Sequence, residues 1–179
     1  MNPLKSLFFQ ETLRHWHFDA LLQESKVSRE RVHFYLKLLL RENFITRVKP
    51  RGKRPYYLAK REEPGFRSEK RLYGLMVLNQ SGLFEQLSRD PKIKTAILFG
   101  SFARGDWSTS SDVDLFVYGQ DQNFDQSTVE KKLGRTVQLF SFQDAQTMKE
   151  ALAPAVIPNI IKGFNIKGTV EPFEVQLHA

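Results

Sequence analysis

Over the first 42 residues apolar positions recur at helical spacing, and beyond residue 95 they gather into short runs that read as strands. Residues 4–15 carry Leu4, Leu7, Phe8 and Leu13 on one helical face, and residues 18–24 form a second short helix with Leu21 and Leu22 turned inward. Ser25-Lys26-Val27 is a turn. Ser28 is placed to cap a third helix running to about Glu42, with Glu30 in the first turn, where the helix dipole favours an acid. Val32, Leu36, Leu39 and Leu40 make its buried stripe, leaving Arg29, His33, Lys37 and Arg41 on the other face. Residues 44–48 and 56–58 then read as two strands joined by the turn Lys49-Pro50-Arg51-Gly52-Lys53-Arg54-Pro55.

The pattern changes after residue 60. Residues 61–70 read as a linker, and residues 71–80 as an amphipathic helix with Leu72, Leu75, Met76 and Leu78 in an apolar stripe outside both domain cores. Ser81-Gly82 breaks it before a short helix over 83–87. Strands follow at 95–99, 115–117 and 135–140, helices at 126–133, 143–152 and 155–162, and an extended tail over 164–175.

Charge separates the same two regions. The chain of 179 residues carries a net +7, but residues 1–62 hold 14 Lys/Arg against 6 Asp/Glu, and residues 63–179 hold 13 against 14. All the excess positive charge is therefore in the first third, which points to a polyanion partner for that region alone. Five of the nine residues from 47 to 55 are Arg or Lys. There is no Cys, which excludes disulfides and thiolate zinc sites and suits a cytoplasmic protein. No stretch approaches the ~18 apolar residues of a membrane span, and residues 1–9 lack the apolar core of a signal peptide. The histidines do not suggest a metal centre: His15 and His17 are two apart, which is wrong for one helix face, His33 is set among basic residues, and His178 is in the tail.

The candidate chemistry lies between residues 97 and 117. Ile97-Leu98-Phe99 is an apolar run that stops at Gly100, which allows a sharp turn and a close backbone approach to a ligand. Ser101 offers a hydroxyl and a backbone N–H at a helix start, a natural place for a phosphate. Asp112-Val113-Asp114 leads into Leu115-Phe116-Val117. Strand side chains alternate, so Asp112 and Asp114 share a face. Paired carboxylates repel unless a cation sits between them, and hard oxygen ligands of this kind suit Mg²⁺ bridging to phosphates.

This stretch resembles the signature of the nucleotidyltransferase superfamily that includes DNA polymerase beta, and is most similar to the minimal nucleotidyltransferases of prokaryotes. The resemblance implies that Gly100 and Ser101, with Arg104 and Ser111, hold a nucleoside triphosphate, ATP being the first candidate. It also implies that Asp112 and Asp114 are the catalytic and metal-binding acids. Active members carry a third acid on the following strand, and the position that aligns with it here is Gln138. Glutamine is neutral, a weaker metal ligand than carboxylate and no general base at pH 7. Glu130 and Asp144 are expected on helices outside that strand.

Residues 4–60, three helices and a basic hairpin, resemble a winged helix-turn-helix domain. The resemblance implies duplex DNA as partner, read by Arg29, Arg31, His33, Phe34 and Lys37 on the third helix, with Arg51, Lys53 and Arg54 touching the backbone from the wing.

Together these readings give an α+β protein in which a winged helix-turn-helix domain precedes a nucleotidyltransferase-fold α/β domain with a small mixed sheet. Residues 1–62 form the DNA-binding domain, 63–90 the linker and packing helices, and 91–179 the nucleotidyltransferase-like domain. The expected function is transcriptional regulation by a homodimer that binds Mg²⁺-nucleotide, with weak or no transfer activity. The alternative is an active transferase moving a nucleoside monophosphate from NTP to a protein, RNA or small molecule. In that case it could act as the antitoxin of a HEPN-type toxin.

Overall fold

The computed structural model describes residues 2–174, so His178 and Val175 lie outside the described residues. The chain divides into two compact units, Met1–Lys70 and Arg71–Ala179.

The first unit begins with α1, Pro3–Gln10, capped by the Asn2 side chain accepting from the Leu4 amide, with proline in the first turn. The helix is shorter than the expected 4–15, and Leu13 is left exposed. The physical reason is a long-range pairing. Trp16 exchanges backbone hydrogen bonds with Tyr57, at 3.0 and 2.8 Å, so the segment after α1 must be extended. Helix α2, Phe18–Ser25, ends at Lys26 in the left-handed region. Helix α3, Arg29–Arg41, starts at Ser28, whose hydroxyl accepts from the Arg31 amide. Its buried residues are Val32, Leu36 and Leu39, whereas Leu40 is more than a third exposed and is not part of the stripe. Strands β1, Ile45–Val48, and β2, Tyr56–Ala59, pair antiparallel, from Ile45 opposite Ala59 to Val48 opposite Tyr56. The core of this unit is strongly aromatic. Phe9, Phe44 and Phe66 meet edge-on or tilted with ring centroids 4.6 to 5.4 Å apart, and Phe8 meets Trp16 at 6.1 Å.

Helix α4, Pro64–Gln80, begins seven residues earlier than the pattern suggested, with proline at its start. Its apolar stripe is divided. Leu78 is fully buried, while Leu72 is 66% and Met76 37% exposed, so Leu78 does not belong to an outer stripe. Helix α5, Leu83–Arg89, follows the break at Gly82.

The second unit is built on a four-stranded mixed sheet in the order β5-β4-β3-β6. Strand β3, Ile93–Phe99, pairs antiparallel with β4, Val113–Gly119, and β4 pairs parallel with β5, Val137–Phe142. Helix α7, Gln126–Leu133, makes the crossover between the two parallel strands and stops at Gly134 in the left-handed region. Beyond β5 come α8, Ala145–Ala151, a 3₁₀ turn, Pro154–Val156, and α9, Ile157–Ile161. The expected extended tail is not one. Residues Phe164–Lys167 form β6, which pairs antiparallel with β3, and Glu171–Glu174 form the short α10. Ile97, Phe99, Phe116, Met148, Leu152, Ile160 and Phe173 form one buried cluster, which packs α8, α9 and α10 over one face of the sheet. Among the described residues no helix is long and apolar enough to cross a membrane.

Candidate functional site

The sheet brings three chain segments to one end. β3 and β4 run antiparallel, so the end of β3 meets the start of β4, with Phe99 opposite Asp114. β5 runs parallel to β4, so its start comes to the same end, with Gln138 opposite Asp114. Partners in register share a face. Asp114 and Gln138 are therefore side by side, with Gly100 and Ser101 at the mouth of the β3 turn.

Gly100 opens the short helix α6, Gly100–Arg104, at φ +66°. A Cβ there would fall 1.9 Å from Asp114 Oδ2, so the carboxylate lies directly over the glycine backbone. Two independent constraints thus require glycine: the left-handed backbone and the space taken by Asp114. Asp114 is half-buried and Asp112 exposed. Burial raises the Asp114 carboxyl above its ordinary 3.8, the Asp112 charge raises it further, and Arg104 opposes both. Among the described residues neither carboxylate accepts a hydrogen bond, which leaves their oxygens available to a cation. Arg104 is turned to Asp106, its Nε 3.0 Å from the carboxylate, and both groups are well exposed. Ser111 is committed to its own loop: its hydroxyl accepts from the Ser108 amide at 2.8 Å.

Two residues whose long-range partners the sequence does not show shape this end of the sheet. The first is Arg135, just before β5. Its Nη1 donates to the carbonyl oxygens of Ser108, Thr109 and Ser111 at 2.6, 2.9 and 3.0 Å. Its guanidinium lies 5.4 Å from the Phe102 ring and 5.3 Å from the Trp107 ring, which stack on one another at 5.1 Å. Burial lowers its pKa from the ordinary arginine value, while Asp112 and Tyr73 pull the other way. The arginine thus braces the loop that delivers Asp112. Trp107 in turn is seated against Gly74 of α4, where a Cβ would come within 2.9 Å of the indole nitrogen.

The second is Glu130 on α7. Its carboxylate accepts from the Val137 amide at 2.7 Å and from Gln126 Nε2 at 3.0 Å, while Gln126 also donates to the Val137 carbonyl at 2.9 Å. Glu130 therefore holds the start of β5 in place and is spent on the backbone. Asp144 is likewise occupied, as the N-cap of α8 accepting from the Thr147 amide. Among the described residues no group of three or more His, Asp or Glu is arranged to hold a metal ion. The fit to a divalent cation is therefore that of two unbonded, mutually repelling carboxylates, with a neutral amide in the third place.

In the first unit, Arg29, His33 and Lys37 follow one another at four-residue steps on the exposed side of α3, and Arg31 is exposed as well. His33 rests on the Phe18 ring at 4.4 Å, and the Arg29 guanidinium lies 5.2 Å from the same ring. Phe34 is 63% exposed and lines a groove with Lys37, Leu38 and Arg41. Arg51, Lys53 and Arg54 are exposed on the turn between β1 and β2.

Residues 83–163 match the family described as polymerase beta, nucleotidyltransferase. These residues are therefore similar to a domain of nucleotidyltransferase type. The chain is also similar to one in a solved structure described as "Crystal structure of the toxin-antitoxin with AMP-PNP". The two are 19% identical over 57% of this chain and 77% of that chain, with a TM-score of 0.35. No curated protein matches.

Proposed function

We propose that this chain is a DNA-binding regulator whose second unit binds a Mg²⁺-nucleotide and has weak or no activity in transferring a nucleoside monophosphate from it. The observation that carries the second half is the register of β4 and β5, which sets Gln138 beside Asp114. Asp112 and Asp114 would hold the cation, with the triphosphate over Gly100 and Ser101 and with Arg104 able to turn from Asp106 toward it. A bound Mg²⁺ neutralises phosphate charge and orients the nucleotide. What this chain supplies besides is two carboxylates and the braced loop. Two-metal transfer needs charge at both the attacking and the leaving oxygen, and Gln138 brings neither charge nor a base. General-base assistance alone is typically worth ~10²–10⁴-fold.

Support for DNA binding comes from the first unit. Three helices and an antiparallel hairpin present a ridge of Arg29, His33 and Lys37 and a turn bearing Arg51, Lys53 and Arg54, in a region of strong positive charge. This resembles the arrangement by which winged helix-turn-helix domains place a helix in the major groove and a wing on the backbone. Leu72 and Met76, one turn apart and exposed on α4, supply an apolar patch for a second copy. The antitoxin reading, with a HEPN-type toxin as partner, is the alternative; a toxin gene beside that of this chain would favour it, whereas Gln138 bears only on transfer activity.

The test has two arms. Calorimetry with ATP, GTP, CTP and UTP should show binding that requires Mg²⁺ and is lost in Asp112→Asn. Transfer of label from an α-labelled NTP should be slow, and Gln138→Asp should raise it. Rapid transfer by the unaltered protein, with no gain in Gln138→Asp, would overturn the reading of this site. For the first unit, changing Arg51, Lys53 and Arg54 together to alanine should weaken binding to all duplexes alike, while Lys37→Ala should alter sequence preference.

A further inference from the structure

His15 and His17 are spaced wrongly for a helix, but the structure does not place them on one. Trp16 is paired in an antiparallel bridge with Tyr57 of β2, so residues 15–17 are extended. In an extended segment residues two apart share a face. Trp16 is therefore turned into the core, where it is 1% exposed, and both histidines are exposed on the opposite face. There the His15 ring stacks parallel on Tyr56 at 4.1 Å, and the His17 ring meets the same tyrosine edge-on at 6.1 Å. His17 Nδ1 lies 3.0 Å from the Pro55 carbonyl oxygen and so donates to it, which fixes the ring at the root of the hairpin. His15, His17, Pro50, Lys53, Arg54 and Tyr56 line one cleft of about 440 Å³.

We infer that this cleft is a phosphate-binding site. Lys53 and Arg54 bring two cations to it, and as imidazolium His15 has two N–H donors and His17 one, at Nε2, left free by the bond to Pro55. Asp19 is near it, its carboxylate 3.6 Å from Arg54. Both partners of that pair are mostly exposed, so it holds Arg54 weakly and yields to a phosphate. Tyr56 and Pro50 give the cleft an apolar wall, which suits the sugar flanking a phosphodiester. The inference rests on the DNA-binding reading for its principal source of phosphate and adds His15, His17 and Tyr56, at the root of the hairpin, to Lys53 and Arg54, which that reading already uses. The same chemistry would accept a free phosphate group.

The experiment uses the full chain. In one arm, binding to a labelled short mixed-sequence duplex is measured against salt for the unaltered protein, for Lys53→Ala, and for His15→Phe with His17→Gln. Phenylalanine keeps the stack on Tyr56, and Lys53 is a surface residue whose loss leaves the fold intact. One neutralised phosphate contributes about 0.9 to the logarithmic salt slope, and each variant should lose about that much. In the other arm, the ring signals of His15 and His17 are followed by NMR as inorganic phosphate is added, and Lys53→Ala should weaken their response. A slope changed in the histidine variant, with unmoved rings, assigns the site to the DNA backbone; a slope changed in Lys53→Ala alone, with unmoved rings, leaves that lysine a contact of the turn and overturns the inference; and moved rings with an unchanged slope assign it to a free phosphate group. Unchanged slopes together with unmoved rings overturn the inference. If the unaltered protein binds no duplex, the DNA reading fails, and the ring signals alone decide the cleft.

Discussion

Replacing Arg135 with alanine removes one side chain that touches the backbone of residues 108–111 at three points and two aromatic rings besides. Where water can take over an acceptor, a lost hydrogen bond costs about 0.5–1.5 kcal/mol, and more only where the acceptor is stranded. Ser108 and Thr109 are exposed, so the lower range applies to them. The ring contacts add ~0.5–1 kcal/mol. Because a single Nη1 serves all three carbonyls, the contributions overlap, and the expected total is roughly 2 kcal/mol. For a domain of about 100 residues each kcal/mol moves the midpoint by about 4–8 °C, so the second unit should melt roughly 8–16 °C lower. Calorimetric melting of the full chain measures this, and fluorescence changes on substituting Trp107 assign the transition to the second unit. Arg135→Lys keeps a charge but neither the planar fork nor the stacking surface, and should recover less than half of the loss. An alanine variant that melts with the unaltered protein, or a lysine variant equal to arginine, would refute the bracing role.

Asp114→Asn should raise the stability of the protein without Mg²⁺ at neutral pH and abolish the stabilisation that Mg²⁺-nucleotide provides, both read from thermal shifts. The sign follows from the raised carboxyl. The folded state holds that proton more tightly than the unfolded chain, so its favourable contribution is complete below 3.8 and is lost as pH rises through the folded value. Glu130→Gln should act in the opposite sense. The hydrogen bond from Val137, then that from Gln126, hold the Glu130 carboxyl below its ordinary 4.5, so its contribution is present above that value and fades as pH falls through the folded one. Urea midpoints measured on either side of that range should fall less with acid in the variant. Gly100→Ala should cost ~1–2 kcal/mol for the left-handed backbone alone, and should displace Asp114 enough to remove Mg²⁺-dependent nucleotide binding by calorimetry. Leu72→Ser with Met76→Ser should turn a dimer into a monomer by light scattering, and an unaltered protein already monomeric at micromolar concentration would count against the patch.

Much of the second unit was legible because its signals are local. An apolar run ending at Gly100, an Asp-x-Asp entering a strand, and a helix from Gln126 that stops before Gly134 need only strand and helix periods and a turn residue. Gln138 was named through the resemblance alone, as the position aligned with the family's third acid, and the parallel register then set it beside Asp114. Partnerships across long separations were not legible. Arg135 reads as one more basic residue until the fold brings it within reach of three carbonyls 24 to 27 positions earlier. Glu130 reads as a spare acid until Val137 occupies it. The bridge between Trp16 and Tyr57 shortened α1, exposed Leu13, and turned a histidine spacing that is useless on a helix into a shared face. Phe164–Lys167 reads as a tail because four residues of mixed polarity carry little period, and only pairing with β3 makes them a strand. Helix and turn propensities act within a few residues and are written in order along the chain. The pairing of distant backbone and the burial of a guanidinium depend on which surfaces meet, and that is decided only when the sheet closes.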